Sequence, residues 1–283
     1  MPAHDVPLLV TVAVLGAGLL HALWNALLKG AAGEPLLDTA VIVAGAAAVC
    51  LPWLAVIPPP APAAWPFVAA SMLVHFAYYL TLAGAYRHGD LSFSYPLMRG
   101  GAPLLVTALG AATFDERLRL PVLAGVALIS VGVVTIGRSG TGRHAAGAAR
   151  YALLNAAIIA AYTLIDGAGA RLAGNPWSYA VWLMALQGVP YLAWVAATRG
   201  QAALAHARRR WRRGILGGAA SVGAYAIALW AMTLAPIAVV AALREVSVVF
   251  AAAIGTLFLN ERFGRVRLAG AVSVAAGIAA LRL

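Results

Sequence analysis

Acidic residues are scarce in this chain: nine Asp and Glu stand against 20 Lys and Arg, and charged residues are only 10% of 283. Soluble domains carry about 25% charged residues, and a single water-soluble core cannot hide 63% hydrophobic residues behind so few charges. A mean hydropathy of +0.88 agrees. Lipid is the expected solvent for most of the chain. Cysteine is also nearly absent. Cys50 stands alone, which excludes an intramolecular disulfide, a cysteine zinc site and a CxxC redox pair. No HExxH, GxSxG or glycine-rich phosphate loop occurs, so no metal, cofactor or ATP-driven chemistry is expected. His21 and His75 do not share a metal-ligand spacing. The net charge of +11 would suggest nucleic acid in a soluble protein, but basic loops on one membrane face give the same excess. Nucleic acid is therefore not an expected partner.

What is present is a series of apolar stretches bounded by charges, Pro or Gly. They fall at 8–28, 36–57, 67–86, 91–113, 120–137, 151–171, 177–198, 214–234, 237–259 and 266–282. One bilayer crossing takes about 20 residues, so this reads as ten transmembrane helices. The intervening pieces are expected to be short loops: PPPAPAAWP near 58–66, the Gly/Ser-rich 137–150, and the basic 199–213. The first stretch lacks the basic flank of a signal peptide and runs too long for one.

The Gly/Ser-rich segment divides the chain nearly in half, and sliding the sequence by 145 positions tests for a repeat. Arg99 then falls on Arg244, Gly110 on Gly255, Glu116-Arg117 on Glu261-Arg262, Leu123-Ala124-Gly125 on Leu268-Ala269-Gly270, and Gly132 on Gly277. The expected organisation is a five-helix unit over 1–137, a linker at 138–150, and a second unit over 151–283. An odd number of helices per unit sends the second copy into the membrane from the opposite side. Such inverted repeats recur in secondary transporters, with the site near the midplane between the halves.

These residues carry a resemblance. The segments TALGAATFDERLRLPVLAGVALISVGVV (107–134) and AAAIGTLFLNERFGRVRLAGAVSVAAGI (251–278) each read as an apolar helix, an acid-Arg turn and a Gly-studded helix. With HALWNALLKG (21–30) and AYRHGDLSFSYPLMRG (85–100), they make the chain similar to the drug/metabolite transporter superfamily, in particular its ten-helix EamA-type members. The resemblance spans essentially the whole chain. It implies an all-α integral membrane protein, a small-molecule solute, a polar cavity lined by helices 1, 3, 4, 6, 8 and 9, and cytoplasmic termini. The related sugar-phosphate translocators also place basic residues on the helices that here hold Arg99 and Arg244. One departure is the loop PPPAPAAWP, which is often basic in the family and here carries no charge.

Charge counting points the other way on orientation. Outside the helices, 14 of the 20 Lys and Arg follow the odd-numbered helices and four lie on the opposite face. The positive-inside rule places the basic face in the cytoplasm and both termini outside. The expected location is a bacterial inner membrane, crossed many times, with a homodimer as the candidate assembly.

An ionisable side chain near the bilayer centre costs on the order of 2.5–3.5 kcal/mol on insertion scales, so each one requires a reason. Arg99 and Arg244 approach the midplane from opposite sides and lie roughly 5 Å from it. Arginine stays charged and offers a planar fork that suits a carboxylate, phosphate or phosphonate. Glu245 adjoins Arg244, whereas the residue beside Arg99 is Gly100, so Arg99 has no acid next to it. An anion shared by the two arginines is expected, with neutralisation inside the protein by Glu245 or Asp166 as the alternative. Those two acids, which lie well inside their helices, are the candidates for proton coupling, because desolvation and a nearby Arg pull on a carboxylate in opposite senses.

The remaining candidates for solute contact are His21, Trp24, Asn25, His75, Tyr78, Tyr162 and Tyr225. His21 and Asn25 share a face, as do Ser71, His75 and Tyr78 on helix 3, Asn155, Tyr162 and Asp166 on helix 6, and Ser221 and Tyr225 on helix 8. Each alone is explained by interhelical hydrogen bonding, worth about 0.6 kcal/mol. The set is better explained by one polar cavity. The expected function is secondary transport, in the export direction, of a small organic metabolite, anionic or zwitterionic, by alternating access with proton coupling. The rival is an intramembrane enzyme using His21, His75 and Asp166 on a lipid-borne substrate.

Overall fold

A computed structural model describes residues 7–29, 34–88, 91–114, 118–137, 145–259 and 264–281. Both acid-Arg turns, Glu116-Arg117 and Glu261-Arg262, fall outside the described residues, as does most of the expected linker. The described residues are helical and include no strand. The helices are α1 (Leu8–Lys29), α2 (Pro35–Leu54), α3 (Trp65–His88), α4 (Leu91–Phe114), α5 (Leu120–Gly137), α6 (Ala145–Leu172), α7 (Pro176–Leu186), α8 (Val189–Leu234), α9 (Ile237–Arg244), α10 (Val246–Leu259) and α11 (Arg265–Ala280). Six helical stretches are long and apolar enough to cross a membrane, and α5 and α11 supply shorter apolar helices. The protein is an all-helical, multi-pass membrane protein.

Several expected boundaries are corrected. The stretch 177–198 is not one helix: α7 ends at Leu186 and α8 begins at Val189. Pro190, in the first turn of α8, has no N–H to continue a helix from α7. Gly188 in the gap packs so tightly that an added Cβ would lie 2.2 Å from Val43 Cγ1. The stretch 237–259 breaks at Glu245, although no Gly or Pro marks the place. There the Glu245 N–H bonds Ala242 O at 3.0 Å and the Val248 N–H bonds Glu245 O at 3.0 Å, tight i→i−3 bonds that interrupt the α pattern. The basic stretch 199–213 is helical rather than a loop, as its Ala, Leu and Arg content favours. It leaves the first part of α8 at a corner, Gly200, whose φ of +47° suits glycine and few other residues. Helix α6 starts at Ala145, inside the expected linker.

Small residues let the helices approach backbone to backbone. On α2 and α8, a Cβ added at Gly45 would lie 1.9 Å from Gly214 O, and one at Gly218 would lie 2.3 Å from Ala46 N. On α5 and α11 the contacts are reciprocal. Gly125 abuts Gly277 and Gly132 abuts Gly270, while Ser273 Oγ donates to Leu128 O at 2.8 Å. Helix α1 packs on α8, and α6 packs on α3 and α4. A methyl at Gly132 would meet Gly270 O at 2.6 Å, whereas nothing lies within 4 Å of one at Gly16. Gly132→Ala is therefore expected to lower stability by about 1–3 kcal/mol, as overpacking does, and Gly16→Ala to leave it unchanged, in thermal unfolding of the purified protein.

Candidate functional site

A cavity of about 60 Å³ opens among α1, α2, α3, α6, α7, α8 and α9. This is room for several water molecules or a small polar group. Of the sequence candidates, His21, Trp24, His75, Tyr78, Tyr162, Tyr225 and Arg244 line it together, as does Ser221. Residues from α2 and α7, which the sequence reading left out of the wall, also line it: Thr39, Ile42, Val43, Ala46, Met184 and Gln187. Thr39 and Gln187 were the available signals, an isolated hydroxyl and an isolated amide in apolar helices. Asn25 turns away and donates to the carbonyl of His21, 2.8 Å distant, as a residue on a helix surface does.

Aromatic rings form most of the wall. His75 lies over Tyr162 with ring centres 4.4 Å apart, and Tyr78, Tyr79 and Tyr225 surround it within about 6.2 Å. Its Nδ1 is 3.0 Å from both Oγ and O of Ser71, one turn earlier on α3. Trp24 Nε1 donates to His21 Nδ1 at 3.2 Å, which fixes that nitrogen of His21 as an acceptor. Among the described residues lining the cavity, Arg244 alone carries a fixed charge. Its guanidinium lies 5.2 Å from the centre of the Tyr225 ring, a cation–π contact. Arginine can hold this contact and still turn N–H groups toward an anion, because the guanidinium face and edges are separate.

Behind Tyr225 lies Asp166, with no solvent exposure. Tyr225 Oη donates to Asp166 Oδ2, Tyr179 Oη donates to Asp166 Oδ1 at 2.9 Å, and Ser71 also bonds this carboxylate. Three hydroxyls from α3, α7 and α8 thus converge on one acid of α6. Tyr179 was missed by the sequence reading because a tyrosine in an apolar helix is ordinary. Asp166 is fully buried inside the protein, despite its closeness in sequence to Arg171. Arg171 is occupied elsewhere: it donates to Met232 O at 2.9 Å and to Ala235 O at 3.2 Å, closing the end of α8. Asn155 on α6 bridges to α3, donating to Thr81 Oγ1 at 2.8 Å and to Tyr78 O at 3.2 Å.

The two arginines are not placed alike. Arg99 Nε lies 2.9 Å from Glu245 Oε2, and both side chains are buried. The acid adjacent to Arg244 in sequence thus reaches across to α4 and neutralises Arg99, at the break between α9 and α10. Arg99, Glu245 and Asp166 are outside the cavity lining. Arg99 is thus paired with Glu245, the alternative offered by the sequence, while Arg244 stands on the cavity wall. No group of three His, Cys, Asp or Glu side chains among the described residues is placed to hold a metal ion.

The comparisons with known proteins bear on this geometry. Residues 147–283 match the family model described as the EamA-like transporter family. That segment, just under half of the chain, is similar to the EamA-like transporter family. The EamA-like segment begins within α6 and holds Asp166, Tyr179, Tyr225, Arg244 and Glu245, the groups just described. No curated protein matches the chain with significance. Among solved structures 26 chains match. One, described only as a crystal structure of a protein, has a TM-score of 0.69 and 18% identity, and the match covers 96% of this chain and 94% of that one. At such identity the likeness is one of fold, and it extends over both the EamA-like half and the half that precedes it.

Proposed function

We propose that this protein is a proton-coupled secondary transporter that exports a small anionic or zwitterionic metabolite, working by alternating access of two inverted five-helix repeats. The observation that carries the reading is Arg244, the single fixed charge among the described residues lining an aromatic and amide-bearing cavity. A carboxylate or phosphate docks on its guanidinium, while the rings of Tyr78, Tyr162 and Tyr225 receive the apolar part of the solute. Lining residues such as Thr39 and Leu82 lie toward the ends of α2 and α3 that adjoin the basic face. A cavity reaching that face is a loading state for export if the face is cytoplasmic.

Reciprocal packing supports the inverted repeat. Gly125 and Gly132 correspond to Gly270 and Gly277 by the 145-residue offset, and each first-copy glycine abuts the other's counterpart. Leu128 and Ser273, which are equivalents, meet at the centre. A two-fold axis between antiparallel helices gives this pattern. In the same way α1 packs on α8 as α6 packs on α3. Ten spans then result when α7 is counted with α8 up to Arg199, α8 is counted again from Gly214, and α9 is counted with α10.

The start of α2 and the basic segment of α8 share one face. Arg199 meets Glu34 at 2.7 Å and His206 meets Asp38 at 2.9 Å, joining the segment after α1 to the corner of α8. By the positive-inside rule this face is cytoplasmic and both termini lie outside. A C-terminal reporter that is active only outside the cytoplasm is expected to be active, and activity of a cytoplasm-only reporter would reverse the orientation.

Asp166 couples the proton. It touches Tyr225, which both lines the cavity and bears Arg244 on its ring, so the charge state of Asp166 bears on the group that receives the solute. Glu245 is committed to Arg99. Asp166→Asn is expected to abolish gradient-driven accumulation in proteoliposomes while solute exchange continues. Unchanged accumulation and unchanged pH dependence in this variant would remove Asp166 from the coupling.

A further inference from the structure

The segment 201–213 of α8, sequence QAALAHARRRWRR, takes no part in the cavity. Its helical wheel has three faces. His206 and Arg210, one turn apart, point at α2, where His206 Nε2 is 2.9 Å and Arg210 Nε 3.8 Å from Asp38 Oδ1. This ties the segment to the body of the protein. One flank of that inner face carries Leu204 and Trp211, exposed at 49% and 58%. The other flank carries Arg208, Arg209 and Arg212, all exposed. The Arg212 guanidinium lies 5.5 Å from the Trp211 ring centre, where the two flanks meet.

An exposed apolar edge beside an exposed basic edge has no use in water. It is the pattern of a helix lying in the plane of a membrane interface, with Trp and Leu at the acyl boundary and Arg among headgroups. The corner at Gly200 is what allows the chain to leave the span and lie flat before re-entering at Gly214. Neutral headgroups would satisfy the apolar edge alone. Three arginines on one edge call for negative charge, and a phospholipid leaflet supplies it at the depth where the tryptophan sits.

We infer that residues 201–213 form an interfacial helix that selectively gathers anionic phospholipids, with Arg208, Arg209 and Arg212 as the headgroup-binding edge and Trp211 as the anchor. Each arginine contributes up to about fivefold to the preference for an anionic over a zwitterionic lipid surface. The attraction falls with salt, since the Debye length shrinks to about 3 Å at 1 M.

The test uses the full-length protein in nanodiscs of phosphatidylcholine containing a minor fraction of lipid brominated high on the acyl chain, as either phosphatidylglycerol or phosphatidylcholine. The Trp211 signal is isolated by subtracting the Trp211→Phe variant. Brominated phosphatidylglycerol is expected to quench Trp211 severalfold more than brominated phosphatidylcholine at equal fraction, and 1 M salt is expected to erase the difference. The triple Arg→Gln variant at positions 208, 209 and 212 loses the preference, and the triple Arg→Lys variant keeps it. Equal quenching of the Trp211 signal by the two lipids overturns the inference without recourse to the arginine variants, as does a preference that survives the triple Gln change.

Discussion

Arg244→Gln is expected to weaken binding of an organic anion by about 10- to 100-fold, the worth of hydrogen bonds to a charged group. Arg244 is the only fixed charge among the described residues of the cavity wall, and glutamine keeps a polar head of similar reach without the charge. Arg244→Lys should fall between the two, because lysine retains the charge and loses the planar two-pronged donor set. The readout is ligand-induced thermal stabilisation of purified protein against a panel of organic acids, amino acids and phosphonates. Loss of the Tyr225 contact adds a separate cost of about 0.5–2 kcal/mol to folding, so melting temperatures are compared with and without ligand for each variant. Stabilisation by a cationic or neutral compound that survives Arg244→Gln would refute the anion site.

Arg99 and Glu245 are expected to behave in the opposite way. Removing either partner of a buried ion pair strands the other charge, at about 3–5 kcal/mol. Arg99→Gln and Glu245→Gln should each lower thermal stability and expression by that order. The apolar double variant Arg99→Met with Glu245→Leu should recover most of the loss, since no charge is then left unpaired. If Arg99→Gln instead folds normally and loses ligand response as Arg244→Gln does, Arg99 is a solute ligand and the two arginines act as a clamp.

The contrast between these two arginines shows how far the sequence could be read. Their presence in apolar helices was legible, because an ionisable group in lipid stands out by its insertion cost alone. Their difference was not. Arg99 has Gly100 beside it and its acid is 146 positions away, at a helix break that no Gly or Pro announces. A pairing between halves is set by packing, and a linear search within one half cannot find it. Helix existence was legible because hydropathy alone marks it. The basic stretch was misread as a loop, since charge was taken as a sign of solvent exposure and the helix propensity of Ala, Leu and Arg was overlooked. His75, Tyr78, Tyr162 and Tyr225 were recognised as a set by helical spacing. Thr39, Tyr179 and Gln187 stayed hidden, because a lone hydroxyl or amide in a membrane helix is usually a local hydrogen bond.

Trans-stimulated exchange measures the central claim most directly. Proteoliposomes are loaded with the unlabelled organic anion that stabilises the purified protein most, then given the labelled compound outside. The account predicts labelled uptake well above protein-free vesicles, dependent on internal solute, retained in Asp166→Asn and lost in Arg244→Gln. Uptake that ignores internal solute, or that persists in Arg244→Gln, would contradict alternating access at an arginine-held anion site.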